Sequence, residues 1–149
     1  MKHIPLILVA IAVIIATAQA FWTLRSRDDH IEAIVAGRQL DACAEIGAAA
    51  ADFAYRAQAA QASFTEENFR ALREGPRALA RASYLAAYLL PEEASQQSAI
   101  LRDLSQRIVG ALGDRDETRV AELLREFDGV NLDVQQSCRQ VIQGSRFAL

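Results

Sequence analysis

The sequence predicts an all-α protein: an N-terminal transmembrane helix followed by an antiparallel up-down four-helix bundle. Three observations carry this. Residues Ile4 to Leu24 hold no charge. Glycine (7) and proline (3) are scarce among 149 residues, and no alternating β-branched run of strand length appears. Beyond Asp28, apolar residues recur at three- and four-residue steps in four stretches parted by short turn signals.

Twenty-one helical residues, Ile4 to Leu24, rise about 31 Å, enough to cross the hydrocarbon core of a bilayer. The segment has two readings. As a secretory signal it has a basic start at Lys2, an apolar run to Ala16 and a small-x-small site, Ala18-Gln19-Ala20, with cleavage after Ala20. As a signal-anchor it continues past that site to Phe21 and Trp22, an interfacial aromatic pair, and stops at Arg25 and Arg27. Aromatics and arginines one membrane width from Lys2 favour the anchor. A short N-terminus before one apolar segment is the layout that exports the remainder of a chain. The expectation is therefore an inner-membrane segment over residues 1–27 and a periplasmic bundle over residues 28–149, or a chain released to the periplasm if cleaved. Fifteen arginines against one lysine, with abundant alanine, point to a GC-rich bacterial genome.

The first helix of the bundle is expected from about Asp28 to Ala62. Gln39, Cys43, Ile46, Ala50, Phe53, Ala57 and Ala60 form one stripe. Ala44, Gly47, Ala48 and Ala51 are small enough for a neighbour to approach closely. Ser63 with Glu66, or Thr65 alone, caps the second helix, Glu66 to Leu90, with Phe69, Leu72, Leu79, Ala82, Ala86 and Leu89 inward. Gly75-Pro76 predicts a kink or two abutting helices. Pro91-Glu92-Glu93 starts the third helix, whose stripe is Gln97, Leu101, Leu104, Ile108 and Leu112. Gly113-Asp114 closes it. Val120, Leu124, Phe127, Val134, Cys138 and Val141 face inward on the fourth, where Gly129, with Asn131 just after, offers a point of division into two. Loops of two to four residues imply up-down-up-down order.

Both cysteines lie on core stripes. The first and last helices of such a bundle are antiparallel neighbours, and Cys43 and Cys138 fall at similar heights. An even count in an exported chain predicts a disulfide between them. Without Cys-x-x-Cys, a catalytic redox role is not expected.

Sites of chemistry are sparse. His3 and His30 are too far apart to share a metal, and no Cys-x-x-Cys-His or Glu-x-x-His occurs. Neither a phosphate-binding glycine loop nor a Gly-x-Ser-x-Gly elbow is present. Carboxylates such as Glu92, Glu93, Asp114, Asp116 and Glu117 cluster at helix starts, where they complement the helix dipole. The expectation is a protein that is not an enzyme and has no cofactor or metal. A net charge of −3 argues against a nucleic-acid partner.

One pattern points outward. Arg70, Arg73, Arg77 and Arg81, then Tyr84 and Tyr88, recur along the second helix as a basic stripe ending in aromatics. Its plain explanation is a solvated face whose arginines pair with acids on adjacent helices. Its functional explanation is a docking strip for an acidic partner, a lipid headgroup or a wall polymer. The whole is best read as a single-pass accessory protein presenting a bundle to an envelope complex, with a protein partner or an oligomer. The layout also resembles the periplasmic half of a four-helix-bundle chemoreceptor, implying a sensory module. A short bitopic chain with a helical arm and a late cysteine is similar, too, to an inner-membrane spanin, implying phage lysis.

Overall fold

In the computed structural model the chain forms four helices: α1 (Ile4–Ala62), α2 (Glu66–Leu89), α3 (Glu92–Gly113) and α4 (Glu117–Arg146). The structure describes residues 4–146; within that range the side chains of 4–18, 20, 21, 24, 26–29, 145 and 146 lie outside the description. Among the described residues there is no strand. Two units are distinguished, Met1–Val35 and Ala36–Leu149.

In the first unit the backbone is helical from Ile4, and Trp22, Ile31, Ile34 and Val35 are exposed. Among the described residues no helix is long and apolar enough to cross a membrane. Apart from Gln19, Trp22 and Thr23, the side chains of the expected span Ile4–Leu24, with the processing site at Ala20, the aromatic Phe21 and the stop residue Arg27, lie outside the described set, as does His3.

The second unit is the four-helix bundle. The connections are short, and two of the three following helices, α2 and α4, open on a side-chain cap. Of the two caps the sequence allows for α2, Ser63 with Glu66 or Thr65 alone, the structure uses Thr65. Its extended backbone (φ −107°, ψ 156°) turns its Oγ1 to accept from the Asn68 N–H at 3.1 Å. Asn68 in turn donates through Nδ2 to the Ser63 carbonyl at 2.8 Å. Pro91 stands just before α3 as its N-cap, with Glu92 and Glu93 in the first turn. Asp116 caps α4, its Oδ1 accepting from the Arg119 N–H at 3.0 Å. The chain reverses between α3 and α4 through Arg115, whose φ of 57° is left-handed.

Pairs of contacts fix the direction of every helix. Cys43 is bonded to Cys138, and the Phe53 and Phe127 rings lie 5.2 Å apart, so α1 and α4 run antiparallel. Arg56 donates to the Ala71 carbonyl at 3.0 Å and Phe53 packs on Gly75, so α1 and α2 do the same. Ser83 donates to the Ser98 carbonyl at 2.8 Å and the Phe69 ring packs on Gly113, so α2 and α3 are antiparallel too. Ser137 donates to Gln97 Oε1 at 3.1 Å, and Arg107 approaches Glu126 at 3.9 Å, across α3 and α4. The ring of neighbours is thus α1–α2–α3–α4–α1, antiparallel throughout.

The core holds Ile46, Phe53, Leu72, Leu79, Leu101, Leu104, Ile108, Leu123, Phe127 and Val134, all essentially inaccessible, with alanines filling between them. Three serines, Ser83, Ser98 and Ser105, are also buried, and each hydroxyl donates to a helix carbonyl. Several expectations are corrected. Gly75-Pro76 does not divide α2 into two abutting helices, nor does Gly129 divide α4: each is continuous. Gly75 is buried because Phe53 needs its space: a Cβ there would sit 2.5 Å from Phe53 Cδ2. Leu123, not Leu124, occupies the core of α4, and Leu124 is half-buried. Cys43 is likewise half-buried, at the margin of the core. Finally, Ala44, Ala48 and Ala51 lie on the exposed side of α1, so their small size does not serve packing within the bundle.

Candidate functional site

Helix α2 buries Leu72, Gly75, Leu79, Ala82, Ser83 and Ala86 along one face. At 100° per residue the opposite face must carry positions 70, 73, 77, 81, 84 and 88. The structure brings all six together as an exposed ridge about 27 Å long, given 1.5 Å per residue over 18 residues. Tyr84 is 67% and Tyr88 81% exposed, values that leave neither ring a part in core packing.

The arginines of this ridge are not held by neighbouring helices, contrary to the expectation for a passive solvated face. Arg70 pairs with Glu66 at 2.9 Å and Arg77 with Glu74 at 3.4 Å, both on α2 itself. Both are highly exposed pairs of the kind whose net contribution is small, so exchanging either carboxylate for a partner's is nearly neutral. Arg73 and Arg81 have no ion-pair or hydrogen-bond partner among the described residues. The ridge therefore offers two free guanidiniums, two weakly engaged ones, and two tyrosines with free hydroxyls.

Apolar periodicity alone passes over a second feature. Asp41, Glu45 and Asp52 form an exposed acidic ridge on α1, beside α2. Asp52 pairs with Arg56 of its own helix at 2.8 Å, while Asp41 and Glu45 have no partner among the described residues. The signal is present in the chain: steps of four and seven place all three on one side of a helix whose buried stripe runs through Ile46 and Phe53.

Among the described residues no other arrangement suggests a reactive centre. Two shallow clefts open to solvent, one beside Ile100, Arg102, Asp103 and Arg107 on α3, the other between Pro91 and Glu93 of the α3 start and Ser137 and Gln140 of α4. Neither contains a nucleophile paired with a base. Among the described residues no three His, Cys, Asp or Glu side chains come together as metal ligands. Cys43 and Cys138 are joined as a disulfide with Cα atoms 5.8 Å apart, closing a separation of 95 residues. No protein-family model, curated protein or solved structure matches this chain.

Proposed function

We propose that this protein is a membrane-anchored accessory protein of a bacterial envelope complex. Its bundle serves as a rigid interaction module and the α2 ridge is its docking surface. The observation that carries the reading is the ridge itself: six residues, Arg70, Arg73, Arg77, Arg81, Tyr84 and Tyr88, aligned outward with almost no engagement of their own. Arginine and tyrosine are the side chains enriched in protein interfaces, because each combines apolar area with directed hydrogen bonds. The disulfide supports delivery to an oxidising compartment such as the periplasm. The uncharged run Ile4–Leu24 supports tethering rather than release, with the bundle on the periplasmic side of the inner membrane.

The test is copurification of the full chain from mild detergent, wild type against Arg77→Glu combined with Arg81→Glu. The expected result is at least tenfold less co-purifying protein at an unchanged melting temperature. Equal recovery from the two preparations, with the chain in the same oligomeric state in both, overturns the assignment of the ridge as the docking surface.

A further inference from the structure

The two ridges complement each other, and we infer that the α1–α2 face is the interface of a parallel two-fold homodimer. The inference rests on the reading of the α2 ridge as a protein-docking surface and names its occupant as a second copy of this chain.

The antiparallel pairing set by Arg56 with Ala71 and Phe53 with Gly75 fixes the level of every residue of α2 against α1. Carried along the helices, it sets Arg77 level with Asp52, Arg81 with Glu45 and Tyr88 with Asp41, each to within about two residues, or about 3 Å of rise. Within one copy these side chains project outward from two different helices, and Arg81 and Glu45 remain unpaired among the described residues. Rotating a second copy about an axis parallel to the bundle keeps every level and lays α2 of each copy over α1 of the other. Each of these arginines then meets a carboxylate of the second copy, and the Tyr88 hydroxyl meets Asp41.

The alternative two-fold, with its axis across the helices, lays α2 on α2 and opposes arginine to arginine. Electrostatics therefore selects the parallel arrangement. Its isologous geometry repeats every pair twice. The area is sufficient. Two helices of about 24 residues, about 36 Å long and about 10 Å apart, present roughly 700 Å² per copy, close to the ~800 Å² of a standard interface. A parallel two-fold also leaves the first helix of each copy entering its bundle at the same end, which two chains tethered to one membrane require. An anionic bilayer is a poorer match, because the chain carries a net charge of −3 and Glu92 and Glu93 are exposed beside the tyrosine end of the ridge.

The experiment is mass determination of the full chain in mild detergent by light scattering, at low and high salt. Variants are Arg81→Glu, Glu45→Arg and the two together. The expected result is a two-copy mass for the wild type, which weakens with salt. Each single reversal should loosen the dimer at least tenfold, and the combined swap should regain most of that loss. A wild-type chain that stays single at about 100 μM overturns the inference, as does a dimer indifferent to both single reversals. So does a single-copy mass joined to arginine-dependent binding of phosphatidylglycerol vesicles. If the mass is that of one chain yet a different protein is lost from the Arg77→Glu, Arg81→Glu preparation, the inference fails while the docking reading stands. If the mass is indifferent to the variants and no protein is lost, both fail.

Discussion

Phe53 shows how much one residue's position can depend on another's absence. Its ring is fully buried, 5.2 Å from Phe127 on one side and against the bare Cα of Gly75 on the other. A methyl group at position 75 has nowhere to go, because its neighbour is a packed ring rather than a flexible chain end. Gly75→Ala is expected to lose about 1–3 kcal/mol by overpacking, despite alanine's better helix propensity. Chemical denaturation measures this, and Phe53→Leu in the same chain should recover part of it. The opposite case is Arg115. Its left-handed backbone costs about 1 kcal/mol for a residue with a Cβ. Its guanidinium lies 5.1 Å from the centre of the Phe64 ring, a contact that returns about 0.5–1 kcal/mol. Arg115→Gly removes both and should leave stability nearly unchanged. Arg115→Ala keeps the strain and loses the contact, and should lower the melting temperature by a few degrees. Equal effects from the two substitutions would show that the backbone conformation plays no part.

Among the helices, the ends rather than the middles determine the bounds. Helix α2 starts at Glu66 because Thr65 satisfies the Asn68 amide, and Asn68 ties that turn back to the end of α1. Thr65→Ala should therefore cost about 1 kcal/mol, read as a shift in the denaturation midpoint with an unchanged slope. The interiors tolerate what a rule of thumb forbids. Pro76 sits inside α2 and lacks the N–H that would bond the Leu72 carbonyl, yet the helix continues because packing on both sides holds it. Gly129 is exposed on α4 and costs only its own propensity, so the helix runs through it. The buried serines belong with the helices as well. Ser83 and Ser98 are small and bonded to nearby carbonyls, which lets α2 and α3 pack closely without an orphaned hydroxyl.

Across the bundle, the disulfide is the principal covalent constraint. Its position joins the first and last helices, so reduction frees a loop of 94 intervening residues, one fewer than the separation of 95, in the unfolded chain. Cys43→Ser with Cys138→Ser should destabilise the bundle by about 4–5 kcal/mol in the chain-entropy account. That is a large part of the ~5–15 kcal/mol of a typical domain. The alanine-rich core, in which Ala42, Ala50, Ala57, Ala60, Ala82, Ala86 and Ala94 are buried, makes that contribution matter. Thermal unfolding with and without reductant checks it, and coincident transitions would overturn it. The balance of surface charge also belongs to the molecule as a unit. Cationic and anionic ridges on adjacent helices offset one another in the net charge of −3, yet remain separate in space.

Periodicity and capping are local properties, and they were enough to dictate the helical class, the turns and nearly all of the core. Ile46, Phe53, Leu101 and Phe127 each sit where a 3.6-residue repeat puts them. The cysteine pairing was legible too, since up-down order leaves the first and last helices adjacent. So was the exposed ridge on α2, as the complement of a buried stripe. Residues whose role depends on another helix needed the packed bundle. Gly75 reads as a helix breaker until Phe53 is seen against it. Ala44, Ala48 and Ala51 read as packing residues until their side of α1 proves to face outward. The acids Asp41, Glu45 and Asp52 acquire meaning only when α2 is laid beside α1 in register. Local rules give each helix its faces; which faces meet, and at what level, is set by close packing between chain segments distant in sequence.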